Sequence, residues 1–420
     1  MVTTTTHRGE VAIVGGGLVG PALAIALSRL EIDVLLIDRL AEPVRRDPDF
    51  DGRGYAVALG SSGVLGALGL WDELEGLAEP IRSIRVSEGR AGDCPPGQVH
   101  FDPAALQEGR VGWILEDRWL RRALLDAVEA APGIRHLAPA EVVAASFDGP
   151  VATLDLADGG RVSAGLVIAA DGRQSRIAGL GGLGRQVLSY DQSGLVAAIT
   201  HERPHDGVAW QSFFPGGPFA VLPLPDGPDG AHRSGLVWSE RRRAAERLMA
   251  LDDRAYEVEL ARRIGARLGR VTLAGARRAH PLNLTLADRY VRPRLALVGD
   301  AAHGVHPIAG QGFNLGLRDV AALAEVLAGA VRNGEDPGDT TVLRRYEAWR
   351  RPDNVTFALG MDSLNRLFST ASPVLAALRT TGLAAVDRQA GLKRFFMRQA
   401  AGLSVGRTGP RPAMLSGALP

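Results

Sequence analysis

Apolar residues fall into three rhythms along this chain. Short, wholly apolar runs come first: Val11-Ala-Ile-Val14 and Val34-Leu-Leu-Ile37 near the N-terminus, and Leu295-Ala-Leu-Val298 far downstream. Such runs predict strands covered on both faces. Helical spacing is the second rhythm, with Leu120, Leu124, Leu125 and Val128 on one face of a helix predicted from Glu116-Asp117 to Ala131. Further helices are predicted from the first glycines to Leu30, and over Ser61–Leu77, Glu240–Leu268, Val320–Asn333 and Thr340–Leu359. The third rhythm is extended and broken by Gly/Pro turns. Ile81–Glu88, Glu141–Phe147, Val151–Leu156 and Val162–Ala170 read as strands, and Gly92–Gly97, containing Cys94-Pro-Pro, as a loop. Val187–Val237, punctuated by Pro215-Gly-Gly-Pro218 and Pro225-Asp-Gly-Pro228, predicts an antiparallel sheet. Trp210 and Phe213–Phe214 on it are candidates for an apolar pocket.

Two junctions carry candidate chemistry. After the first strand, Gly15, Gly17 and Gly20 stand in G-x-G-x-x-G spacing and open a helix; the second strand ends at Asp38, 18 residues past Gly20. Gly15 permits the tight turn, Gly17 lets backbone approach a pyrophosphate, and Gly20 lets helix pack on strand. Asp38 can grip a ribose hydroxyl. An acid there suits an unphosphorylated adenosine ribose; Arg39 beside it is common where FAD binds. The second junction is Gly299-Asp300, followed by Pro307, Gly310, Gln311, Gly312, Phe313, Asn314 and Gly316-Leu-Arg-Asp319. It places a carboxylate at a strand end and bare N–H groups at a helix start, where anionic character is stabilised. A reduced flavin needs both, one for its ribitol and one for charge near N1 and O2.

Two decoys are set aside. Val11–Ser28 is an uncharged run of 18 residues, but its glycines and Pro21 fit strand-turn-helix better than a membrane span. Gly179-Leu-Gly-Gly-Leu-Gly184 repeats the glycine spacing without a leading strand and reads as a loop. His303-x-x-His306 lacks a third ligand cluster, so a structural role is preferred and no metal is expected.

Composition narrows the class. The chain has 420 residues, 46% hydrophobic, with net charge +1, enough for two or three domains and unsuited to nucleic acid. A single cysteine excludes an internal disulfide. Met1-Val-Thr-Thr-Thr-Thr-His-Arg8 lacks a signal-peptide core, so a reducing, cytoplasmic location is expected.

The glycine loop, Asp171-Gly172 with Ser175, and Gly299-Asp300 with Pro307 and Gly310–Asn314 come in the order of group A flavoprotein monooxygenases. The chain thus resembles the para-hydroxybenzoate hydroxylase fold. Met361-Asp-Ser-Leu-Asn-Arg-Leu-Phe-Ser369, Leu392-Lys-Arg-Phe-Phe-Met-Arg-Gln-Ala400, Tyr190-Asp-Gln-Ser and Gly217-Pro-Phe-Ala-Val-Leu-Pro-Leu224 are similar to the ubiquinone biosynthesis hydroxylases.

The resemblance implies an α/β Rossmann-like FAD-binding domain, an antiparallel-sheet substrate domain and a helical C-terminal region. The expected divisions are 9–80, 102–180 and 281–335 for FAD, 81–101 and 181–280 for substrate, and 336–420 for the C-terminal region. It implies FAD as cofactor, NADPH or NADH as donor, O2 as co-substrate, and a polyprenylated phenol hydroxylated through a flavin C4a-hydroperoxide. Arg53 matches the arginine that reaches the cofactor, Asp171 and Gly172 a motif with FAD and pyridine-nucleotide roles, and Asp300 the ribitol ligand. Pro307, Gly310, Gly312 and Asn314 match the turn lining the isoalloxazine. One position departs: the family often carries Arg or Gln at the helix start where this chain has Asp117. No phenol-activating base is identified, though His303 and His306 stand near.

A basic amphipathic pattern, Leu392, Phe395, Phe396, Ala400 and Leu403 with Lys393, Arg394 and Arg398 between, suits peripheral contact with the inner face of a membrane, packing on its own domain, or a quinone-biosynthesis complex. The alternatives in function are an epoxidase or other monooxygenase of a lipophilic substrate, and a non-catalytic scaffold.

Overall fold

In the computed structural model, which describes residues 5–49, 52–89, 99–106, 109–369, 379, 382–383, 385–403 and 411–420, the first apolar run lies in β1 (Thr6–Val14). It turns through Gly15–Gly17 into α1 (Val19–Ser28) and returns as β2 (Val34–Ile37). Then come β3 (Gly54–Ala58), β4 (Gly112–Glu116) and, with no intervening loop, α2 (Asp117–Ala130). β5 (Arg161–Ala169), β6 (Arg185–His201), β7 (Arg278–Ala287) and β8 (Leu295–Leu297) follow. The last long elements are α3 (Gln311–Arg332), α4 (Thr340–Phe368) and α5 (Ala390–Ala400). The expected loop around Cys94 lies outside the described residues.

Three sheets result among the described residues. In the first, β8, β5, β1, β2 and Ile134–Leu137 lie side by side and parallel. The inner stretches of its central strands, Val11–Val14 and Val34–Ile37, are wholly apolar because they are covered: α1 and α3, packed against each other, bury their apolar sides in the same core, and Ala12, Ile13, Leu35 and Leu36 are fully buried. The second sheet is antiparallel around β6, which pairs with β7 on one side and His232–Arg241 on the other. Val208–Phe214 is an exception, pairing parallel with Ser83–Glu88. A small third sheet joins β3, β4 and Glu79–Pro80. The 18-residue uncharged run is split between β1 and α1, and no helix among the described residues is long and apolar enough to cross a membrane.

Several boundaries differ from the sequence reading. β7 pairs with β6 from Arg278 to Ala287, so the division expected at 280/281 cuts through one strand. The helix expected over 240–268 is two, Arg242–Met249 and Asp253–Ile264; Asp252 caps the second by accepting the Ala255 N–H at 2.7 Å. Likewise 61–77 breaks into Leu59–Ala67 and Trp71–Glu75 at Gly69, whose φ is +70°. The helix read over 320–333 opens at Gln311, beside Gly312 where the glycine turn placed a helix start, and α4 runs nine residues beyond Leu359 to Phe368.

Candidate active site

Four glycines shape the first turn, each for its own reason. Gly15 has φ +123°, and a Cβ there would lie 2.3 Å from the Ala170 carbonyl oxygen. At Gly16 it would lie 2.1 Å from Asp38 Oδ2, and at Gly20 1.9 Å from the Gly15 carbonyl oxygen. At Gly17 it would meet nothing within 4 Å, and Gly17 lines the cleft. The loop is thus packed against strand and helix on three sides and bare where a ligand would approach. The packing need at Gly16 escaped the sequence reading.

Asp38 is buried beneath this loop. Arg45 grips it in a fork, Nε to Oδ2 at 2.6 Å and Nη2 to Oδ1 at 3.0 Å, while Arg39 points to solvent. Just before β3, Arg53 lines the cleft and donates from Nη2 to Asp117 Oδ2 at 3.0 Å. Tyr55 beside it lies against Phe313 with ring centroids 5.3 Å apart. Burial foremost, then the Asp117 charge, pushes its phenol well above its ordinary range.

Asp171 turns away from the cleft. Its Oδ2 accepts the N–H groups of Arg176 and Ile177 at 2.8 and 3.1 Å, starting the short helix Arg176–Leu180, while Ser175 accepts from Ala178 at 3.0 Å. Gly172, at φ +85°, lines the cleft. Arg173, which the sequence reading passed over, does more. It donates from Nε to Asp300 Oδ2 at 2.8 Å and from Nη2 to the Val305 carbonyl at 2.7 Å, bracing the second junction from both ends. Its place directly after Asp171-Gly172 was the available signal.

At that junction the strand and helix motifs meet the first loop. Gly299, at φ +58°, packs on Val19, and Asp300, Pro307, Gly310, Gln311 and Gly312 face the same cleft as Gly17. Gly310 is left-handed at φ +61° and heads α3, whose first turn has no side-chain cap. Its opening N–H groups are therefore available to an anionic ligand. Asn314 has a different place from the expected one: it is buried behind the cleft, accepting Ala58 N–H at 2.9 Å and donating to the Ala56 carbonyl at 2.7 Å. It clamps α3 to β3.

The two histidines part company. His303 is fully buried against Asp319 on α3, whose carboxylate also accepts the Gly299 N–H at 3.0 Å, Arg350 Nε at 2.8 Å and Asn354 Nδ2 at 3.1 Å. Burial alone would raise the Asp319 carboxyl, but His303 and Arg350 outweigh it and hold it well below the ordinary range. His306 lies edge-on to Tyr190, centroids 5.2 Å apart; burial, then nearby Arg173, drives it down to about 3. No cluster of His, Cys, Asp or Glu suited to a metal occurs among the described residues.

From this polar end one cavity of about 1370 Å³ continues between the antiparallel sheet and the C-terminal helices. Phe213, Met361, Phe368 and Met397 are among its apolar walls, with Phe213 and Phe368 stacked at 4.1 Å. Trp210 and Phe214 point the other way, against the core behind the sheet, where Arg267 lies over the Trp210 ring, as strand alternation requires. Open glycines, a carboxylate and uncapped N–H groups fit a flavin dinucleotide at the polar end, and the apolar remainder fits a lipophilic ring compound.

Comparison with known proteins agrees. The profile of the FAD binding domain family matches residues 8–356. The chain is 44% identical over 411 residues to ubiquinone hydroxylase UbiL of Rhodospirillum rubrum, spanning 98% of this chain and 93% of that protein. It is 37% identical over 402 residues to 3-demethoxyubiquinol 3-hydroxylase of Escherichia coli, spanning 95% of this chain and 100% of that one. Its fold is similar to the crystal structure of p-nitrophenol 4-monooxygenase PnpA from Pseudomonas putida, with a TM-score of 0.79, 20% identity, and coverage of 96% and 100%.

Proposed function

Because this chain belongs to the FAD binding domain family and, within it, to the ubiquinone biosynthesis hydroxylases, we propose that it is an FAD-dependent monooxygenase that hydroxylates the ring of a polyprenylated phenol. The observation that carries this reading is the continuity of one cavity, polar at Gly17, Arg53 and Asp300 and apolar from Phe213 to Met397. Bound FAD, once reduced by NADPH or NADH, supplies the activation of O2 from which one oxygen atom enters the ring.

The chain's own residues bind, orient and exclude water. Gly17 gives backbone access for the pyrophosphate, and Asp38 lies beneath that loop on the ribose side. Asp300, braced by Arg173, takes the ribitol hydroxyls. Pro307, Gly310, Gln311 and Gly312 present the turn and helix start to the ring system; losing one such preorganised donor costs about 3 kcal/mol. The walls formed by Phe213, Phe368 and Met361 keep the substrate ring dry.

The same cavity reaches α5. There Phe396 lines the wall while remaining 42% exposed, beside exposed Leu392 and Phe395 and basic Lys393, Arg394 and Arg398. This arrangement supports peripheral contact with an anionic, cytoplasm-facing membrane surface from which a lipid-soluble phenol enters. Membership of a quinone-biosynthesis complex is compatible with the same face.

Complementation tests the reading. Quinone-deficient strains, each blocked at one ring position, should be restored at one of them, with the accumulated intermediate identified by mass. Purified protein should be yellow and should oxidise NAD(P)H faster with a prenylphenol present. A colourless protein that restores none of the strains overturns the reading.

A further inference from the structure

Asp117 sets a carboxylate at the start of α2, and its surroundings say what the acid does there. It opens α2 directly after β4 and is almost wholly buried, off the cavity wall. Its backbone N–H donates to the Arg53 carbonyl at 3.0 Å. Its Oδ2 accepts from Arg53 Nη2 at 3.0 Å and from Arg121 Nε at 2.6 Å. Arg121 in turn donates from Nη1 to the carbonyl of Arg45 at 2.7 Å, and Arg45 forks onto Asp38. A line of polar contacts therefore runs from the adenosine end of the groove to Arg53, and Asp117 is its last link before the cleft.

A bare carboxylate at this point would repel an anionic cofactor. Here two guanidiniums absorb its charge, and only Arg53 of that trio faces the cavity. A long arginine side chain otherwise samples many rotamers, and ordering it on binding lowers affinity. Held at its backbone and at Nη2, it is already set. We propose that Asp117 is a positioning residue: it fixes Arg53 in the orientation that meets the phosphate-bearing part of FAD. The inference rests on the FAD reading above and adds a role for a residue that the cofactor never touches.

The test is a double-mutant cycle, with FAD titrated into the deflavinated full-length chain and binding followed by flavin fluorescence. Arg53→Met should weaken FAD binding about tenfold or more, and Asp117→Asn, which keeps the size of the side chain, should weaken it by a similar factor. Asp117→Asn introduced into Arg53→Met should produce no further loss, because its effect passes through Arg53. Thermal unfolding of the apoproteins is the readout that separates a merely structural role. Such a role would lower the melting temperature while leaving the two affinity losses multiplicative, and that result overturns the proposal. Wild-type affinity in Asp117→Asn also overturns it. Wild-type affinity in Arg53→Met does so too, while leaving the FAD reading intact if the protein still binds flavin. Should Asp117→Asn fail to fold, Asp117→Glu retains the charge displaced by one methylene and carries the same cycle, with an intermediate loss expected.

Discussion

His303 donates from Nε2 to Asp319 Oδ2 at 2.5 Å, and neither side chain is reached by solvent. The same carboxylate oxygen holds the Gly299 N–H, so the residue before Asp300 and the residue three after it hang from one point on α3. Arg350 and Asn354 on α4 complete the anchor on Oδ1. Breaking a buried pair of this kind by removing one charge costs about 3–5 kcal/mol. Asp319→Asn should lose stability on that scale in denaturant unfolding, and a loss below about 1 kcal/mol would show that the anchor is dispensable.

The anchor also has a pH signature. The Asp319 carboxyl lies below its ordinary value near 3.8, since His303 and Arg350 overcome the opposing effect of burial. Its stabilisation is therefore fully present above the unfolded value and is lost as pH falls through the folded one. The stability gap between wild type and Asp319→Asn should stay constant from neutral pH to about 5 and close only below about 4. A gap that closes between pH 8 and 6 would assign the effect to another group.

His306 has the opposite charge type and a different window. Burial, then Arg173, lowers it from 6.5 to about 3, so the folded chain keeps it neutral while the unfolded chain protonates it. Stability should fall as pH drops from about 6.5 towards 3, by at most about 1.4 kcal/mol per pH unit from this group. His306→Phe should flatten that limb. An unchanged slope would mean that the ring is protonated in the folded state.

The glycine loop separates folding from binding. Gly20→Ala places a methyl group against the Gly15 carbonyl, 1.9 Å away, where backbone must move. It should cost about 1–3 kcal/mol of stability. Gly17→Val adds its side chain to open space at the cleft. It should leave apoprotein stability within about 0.5 kcal/mol while abolishing FAD retention, read as loss of yellow colour. Retained flavin in Gly17→Val would remove that turn from the cofactor site.

What could be read from the chain, and what could not, follows from the range of each interaction. Strand-glycine-helix junctions are local: a run of apolar residues, a turn that tolerates positive φ, then a helical stripe. Gly15–Gly20 and Gly299–Gly312 were therefore legible. Arg173 on Asp300, Arg45 on Asp38 and Asp319 beneath the turn were not, because nothing in a local pattern tells an arginine which distant carboxylate it will face. Asn314 shows the same limit. Its type and place were visible, but its direction was decided by β3, which needs two partners for Ala56 and Ala58. The extension of α4 past Gly360 was likewise tertiary: Asn365 donates to Gln192 on β6 at 3.0 Å, and Phe368 stacks on Phe213, so packing overrides a weak local signal.

The exposed face of α5 offers a prediction that leaves the cavity untouched. Leu392 and Phe395 are 39% and 53% exposed and stand outside the cavity wall, whereas neighbouring Phe396 belongs to it. Burying a half-exposed side chain of this size in a lipid interface contributes about 1 kcal/mol, or roughly fivefold in affinity. Leu392→Ser with Phe395→Ser should therefore weaken binding to vesicles containing anionic lipid by more than about tenfold in flotation, with turnover of a short-tailed, water-soluble phenol unchanged. Loss of both together would place these residues in the catalytic body of the protein. Unchanged flotation would show that the bilayer is met by another surface, and that the apolar end of the cavity fills from solution.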